Sequence, residues 1–170
     1  MFDKLVELLI DCLDLFRFWE VIDPYEQGVR IRFGKSNRKI LTEGLHWQLP
    51  FKFDKILTIN HVPSVKELGV QTITTADGVT VGLQAIVKYE IKNPAVALLD
   101  VDNEVDAVAE LTQAIIRSVI IATPYASVNN LDLEDEIIKL AKKEATQWGI
   151  KVVKVTIKSL GKIPTIRLMQ

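Results

Sequence analysis

The chain has 170 residues, 48% of them apolar and 25% charged, with a formal net charge of −1. That composition excludes a disordered chain, and the near-neutral charge gives no global pull toward nucleic acid. A single cysteine, Cys12, excludes an internal disulfide and a multi-cysteine zinc centre, and the two histidines, His46 and His61, stand in no metal-ligand spacing.

The length suits one domain or two small lobes. The chain opens with "MFDKLVELLIDCLDLFRFWEVI", an apolar stretch interrupted by Asp3, Lys4, Glu7, Asp11, Asp14 and Arg17 at helical spacing. The spacing predicts an amphipathic helix over residues 1–21, with a broad face of Leu, Ile, Phe and Trp that also carries Cys12 as a packed residue. The interruptions leave no apolar run long enough to span a bilayer, and no secretory signal is evident. Such a helix lies in a membrane interface or packs on protein. Interfacial helices favour Lys and Arg on the polar face, so the prevalence of Asp and Glu here weighs toward packing.

Pro24 is expected to end that helix. "QGVRIRFGK" alternates as a half-buried strand, with Val29, Ile31 and Phe33 on one face and Arg30 and Arg32 on the other. In "EGLHWQLPF", Gly44 sets a turn and Leu45, Trp47, Leu49 and Phe51 share one face, which suits either an interfacial position or a buried core. "FDKILTINHV" is another strand. "ADG" turns "VQTITT" into the longest alternating segment, which runs to Ile91 and stops at Pro94. The period then changes to that of a helix N-capped at Asp102 or Asn103 and carrying Val108, Thr112, Ile115, Ile116 and Val119. A second helix, Asp132 to Trp148, stops at Gly149, and "IKVVKVTIKSL" closes as a strand. The order predicts an α+β protein of two lobes joined near residues 68–72.

Four features invite a chemical reading. "GVRIRFGKS" ends like a phosphate-binding loop, but that motif spaces its glycines one residue closer and the intervening residues alternate as a strand. Asp132, Glu134, Asp135 and Glu136 open a helix, where the macrodipole favours carboxylates, so capping accounts for them. His46 and His61 lack a nucleophile or ligand context and read as structural. A basic tail (Lys151, Lys154, Lys158, Lys162, Arg167) complements an acidic segment spanning Asp100 to Glu110. Asp102, Asp106, Glu110, Lys154 and Lys158 are therefore candidate contacts between copies of the chain, although solvated faces are the ordinary fate of charge runs.

In this order, "PYEQGVRIRFGK", "EGLHWQLPF-KFDKI", "TTADGVTVGLQAIVKYEIKNP", "LTQAIIRSVI" and "EATQWGIKVVKVTIKSL" resemble the stomatin–prohibitin–flotillin–HflK/C family, the SPFH or band 7 domain, over about residues 22–160. The resemblance implies an SPFH1 subdomain over 22–70 and an SPFH2 subdomain over 71–162, with a short tail at 163–170. It implies no catalytic residues and no cofactor. Its expected role is a scaffold at the cytoplasmic face of the inner or plasma membrane, assembling laterally into rings or arrays. The implied partners are membrane lipid, further copies of the chain, and a membrane protease or a longer SPFH protein, but not nucleic acid. Because the first subdomain of such proteins can press apolar loops onto a bilayer, the resemblance reverses the preference for packing. It makes Leu5, Leu9, Leu13, Phe16, Trp19, Trp47 and Phe51 membrane-contact candidates. The charged first helix departs from a clean transmembrane span, and ten residues after Leu160 leave no room for the family's long C-terminal helix. The expectation is a small ring, an open array or co-assembly with longer relatives. The alternative is a soluble or peripheral module that binds a partner, regulating a membrane protease or capping a longer assembly.

Overall fold

The computed structural model describes residues 18–51, 53–128 and 131–163. The fold is α+β, in two compact units. The first takes the chain through Val62 and again over Asn93–Asp100; the second takes Pro63–Lys92 and the chain from Val101 onward.

The first unit begins with a strand. The expected helix over 1–21 lies outside the described residues up to position 17, but β1 (Trp19–Ile22) is extended and pairs antiparallel with β4 (Gly44–Trp47). Aromatic and β-branched side chains suit a pleated ribbon better than a helix end, and Trp19 sits opposite Trp47, with Val21 opposite Leu45. Among the described residues, Pro24 therefore follows a strand and does not end a helix. A three-stranded sheet follows, β3-β2-β5, from β2 (Glu26–Arg32), β3 (Lys35–Leu41) and β5 (Asp54–Asn60). Phe33 is not in the strand, as its alternation suggested. Arg32 pairs with Lys35, so Phe33 and Gly34 are the whole turn, with φ of 50° and 74°. Positive φ at both positions is the tight hairpin geometry that matches strand twist.

The chain returns to this unit as α1 (Pro94–Leu99), which packs on β2, β3 and β5. Sequence alternation read Pro94 only as a stop. Asn93 caps the helix through the Val96 N–H and proline occupies the first turn, where its missing N–H costs nothing. Arg38, itself at φ 56°, grips Asp100 with two hydrogen bonds of 2.7 Å and ties the end of α1 to β3. Ile22, Val29, Ile59, Ala95 and Ala97 are buried in this unit.

The second unit is built on β8 (Thr80–Ile91). β6 (Ser64–Glu67) pairs with its residues 86–89, β7 (Gln71–Thr74) with residues 80–83, and β9 (Ile150–Lys162) with nearly its full length. A strand has two hydrogen-bonding edges, so β6 and β7 lie in line on one edge of β8 and β9 takes the other. The Leu68 N–H bonds to the Ala85 carbonyl and bridges the break between β6 and β7. Sequence reading puts Ser64–Glu67 in the first subdomain; their hydrogen bonds put them in the second unit. Val81, Leu83, Ala85, Val87, Tyr89 and Ile91 alternate into the core. There they meet α2 (Glu104–Ala122), which buries Val108, Thr112, Ile115, Ile116 and Ile120, and α3 (Leu131–Ala145), which buries Leu133, Ile137 and Ala141. Asn103, in the left-handed conformation that asparagine tolerates, caps α2 by accepting from the Asp106 N–H. Gly149, at φ 70°, ends the short 3-10 turn after α3.

Three carboxylates are held below their ordinary range. Asp77 accepts from the Thr75 hydroxyl and from the Tyr125 N–H, fixing the β7–β8 turn. Glu90 is held by Lys151 and Lys92, and Asp100 by Arg38. A depressed folded-state value means a stabilisation that is complete above the unfolded value and disappears as pH falls through the folded one. The fold should therefore weaken in acid, as pH falls through and below the ordinary values of 3.8 for aspartate and 4.5 for glutamate. Thermal melts from about pH 6 to about pH 3 check this. Asp77→Asn should lower the midpoint near neutrality and flatten its fall in acid; an unchanged slope would remove Asp77 from the account.

Candidate functional site

Large apolar side chains gather on the outside of the first unit. Trp19, Val21, Leu45 and Trp47 share one face of the β1–β4 ribbon, and all are exposed, Trp47 by 68%. The opposite face buries Ile22 and carries Glu20 opposite His46. Between an interfacial face and a core face, the ribbon is thus outward. It is shorter than the alternation suggested: β4 ends at Trp47, and Leu49 and Phe51 lie in the following turn, where Phe51 has φ 61°. Phe51 and Phe53 lie with ring centroids 6.3 Å apart, and Phe53 and Phe33 5.4 Å apart. Phe33 is 66% exposed at its hairpin tip. Two of these three aromatics thus occupy left-handed backbone, a costly conformation for a bulky residue.

Asp54 holds this arrangement together. Its side chain is fully buried and accepts from Arg32 Nη2 at 2.9 Å and from the Leu49 N–H at 3.4 Å, with Arg30 Nε 3.7 Å away. Arg30 Nη2 donates at 2.7 Å to the Trp47 carbonyl. One carboxylate and two guanidiniums therefore clamp both ends of the segment from Trp47 to Leu49. Beside the clamp, Arg30, Arg32, Phe33, Lys35, Ser36 and Asn37 line a groove of about 690 Å3, open along one side.

The "GVRIRFGKS" segment is this hairpin. Its N–H groups enter β ladders, the Phe33 N–H included, which bonds to the Phe53 carbonyl, so no phosphate-binding loop forms. His46 lies with Nε2 2.7 Å from the Thr42 carbonyl and braces the turn before β4. Glu134 does more than cap a helix: it accepts from the Ile157 N–H at a bulge in β9 and fastens α3 to the sheet. Asp102, Asp106 and Glu110 are exposed around the start of α2, with Asp106 3.4 Å from Lys66; Lys154 and Lys158 are exposed on β9, with Lys158 2.6 Å from Glu67. Leu5, Leu9, Cys12, Leu13 and Phe16 lie outside the described residues. Sequence reasoning missed Asp54, Phe33 and Phe53. Reading Phe-Gly as a two-residue turn would have put Phe33 at a hairpin tip and Lys35 beside Arg32, whereas Asp54 and Phe53 are placed by the β2–β5 pairing, which has no local signal.

The sequence of this two-unit α+β chain matches a known class. The family model described as SPFH domain / Band 7 family matches residues 20–167, and the chain belongs to that family. Among individual proteins, it is 30% identical over 146 residues to a stomatin homolog of Pyrococcus horikoshii, covering 83% of this chain and 53% of the relative. It is 30% identical over 141 residues to a putative band 7 family protein of Acanthamoeba polyphaga mimivirus, covering 82% and 46%. Stomatin-1 of Caenorhabditis elegans is 23% identical over 150 residues, covering 87% and 45%. The chain thus spans about half the length of these relatives. No helix among the described residues is long and apolar enough to cross a membrane.

Removing the Asp54 charge leaves Arg30 and Arg32 facing each other without the negative charge that they share. Asp54→Asn is expected to cost about 2 kcal/mol, the scale of a hydrogen bond to a charged group. Urea unfolding checks it, and a loss no larger than that of an exposed charge change would mean that solvent already screens the clamp.

Proposed function

We propose that the protein is a non-enzymatic scaffold that rests the aromatic edge of its first unit on a membrane surface and associates laterally with further copies. The single observation behind this is the outward face of Trp19, Val21, Leu45 and Trp47, in a unit that also exposes Phe33, Phe51 and Phe53. Soluble domains rarely leave so many large apolar side chains together on the surface without a binding role. Tryptophan beside polar groups suits the boundary between acyl chains and headgroups. Left-handed backbone at Phe33 and Phe51, a costly conformation for a bulky residue, favours the same reading, because such strain gathers at functional sites. Family membership supports the scaffold role.

Liposome flotation tests the membrane half. Trp47→Ala should lower recovery with floated vesicles while leaving the melting temperature nearly unchanged, since an exposed side chain contributes little to the core. Phe33→Asn should also reduce flotation yet melt no lower than the parent, because Asn-Gly fits this turn better than Phe-Gly. A variant that melts lower and floats as before would make the edge structural. If the parent never floats, the same face covers a protein partner, the second reading, and pull-down from solubilised membranes would identify it. Light scattering with and without lipid tests the lateral half; a monomer in both conditions would remove it.

A further inference from the structure

We propose that the groove lined by the β2–β3 hairpin binds the phosphate of an anionic phospholipid headgroup. This rests on the membrane reading above and names the lipid chemistry that the first unit prefers. Lys35, Arg32 and Asp54 lie in one row across β3, β2 and β5. Lys35 directly opposite Arg32 is a like-charge pair, which a sheet tolerates only at a cost. Asp54 is shared between Arg32 and Arg30, so three cations stand against one carboxylate. Lys35 makes no ion pair among the described residues.

The uncharged polar lining has the same bias. The Ser36 hydroxyl oxygen accepts from the Arg38 N–H, and the Asn37 amide oxygen accepts from the Lys39 N–H. Each keeps its donor free for the groove, the Ser36 O–H and the Asn37 NH2, while one lone pair of its oxygen is already taken. A groove lined by three cations and two further free donors is matched to an anion, and guanidinium and ammonium groups recognise phosphate well. Its volume of about 690 Å3 exceeds what a bare phosphate needs and suits a substituted headgroup. The sixth lining residue decides the source. Phe33 is both a wall of the groove and the end of the aromatic row, so a phosphate bound here sits where an acyl chain could run along Phe33 and Phe53.

The test is flotation of the full chain on phosphatidylcholine vesicles with and without phosphatidic acid. Partition should be stronger on the acidic vesicles. Lys35→Gln should lower it there by about fivefold without changing partition on phosphatidylcholine alone, and the double variant Arg32→Gln, Lys35→Gln should lower it on the acidic vesicles by about twentyfold. Lys55→Gln is the control: it removes the same charge from an exposed β5 position opposite Ile31, on the other face of the sheet, and should have little effect. Because Arg32 also holds Asp54, melting curves accompany the double variant, and Lys35→Gln alone, which breaks no ion pair, decides the outcome if the double variant unfolds. Equal losses from Lys35→Gln and Lys55→Gln would reduce the effect to general surface charge and overturn the site. Equal flotation on both vesicle types would also overturn it while leaving the membrane reading intact; no flotation on either would remove both. Amide NMR separates lipid from free phosphate. Short-chain phosphatidic acid should shift Lys35, Ser36 and Asn37 at lower concentration than inorganic phosphate does, and the reverse order would make free phosphate the ligand and overturn the lipid assignment.

Discussion

The buried carboxylate of Asp54 is the constraint on which the first unit's surface depends. An ionised group without solvent is costly unless it is paired and hydrogen-bonded, and here the pairing falls to Arg30 and Arg32, neighbours on one face of β2. Once those arginines are fixed, Arg30 anchors the carbonyl of Trp47 and Asp54 takes the N–H of Leu49. The apolar ribbon and the aromatic turn therefore inherit their positions from a polar interaction beneath them. The same arginines line a groove, so the clamp and the excess of positive charge have one origin.

The second unit is organised on different terms. β8 is hydrogen-bonded along both edges, its inward side chains are almost uniformly buried, and α2 and α3 cover them with isoleucine, valine and alanine. Its polar groups mostly satisfy one another at short range: Asp77 with Thr75 and Tyr125, Glu90 with Lys92 and Lys151, Glu67 with Lys158 and Gln84. Most of the large exposed apolar side chains of the described residues lie in the first unit.

The regularity of the second unit explains what was legible in the sequence. The alternation of β8, the helical period of α2, the cap at Asn103 and the stop at Gly149 are local signals, and each appears where its chemistry places it. The first unit was harder because its features depend on pairing between distant residues. Trp19–Ile22 sits at the end of an apolar run of helical period, and only β4 makes it a strand. α1 is six residues long, too short for periodicity to register. Asp54 looks like any strand residue until the register sets it opposite Arg32. Trp47 and Phe51 were recognisable as large apolar residues at a turn, but whether the face was outward needed the ribbon's other side, where Ile22 takes the buried place.

The outer edge of β9 limits how copies of this chain can be joined. Among the described residues its only strand partner is β8, so its other side is open. Lysine recurs along it at positions 151, 154, 158 and 162. A second β9 laid beside it in parallel register would stack each lysine on its counterpart, and an antiparallel one would bring Lys154 near Lys158; both arrangements are unfavourable. Glu134, by bonding to the Ile157 N–H, also occupies one of the donors that a new strand would need. The sheet therefore resists self-templated growth, the route by which exposed strands become fibrils. Copies meeting at this edge would have to be knitted through side chains, where contacts can loosen and re-form, rather than through a continuous backbone ladder.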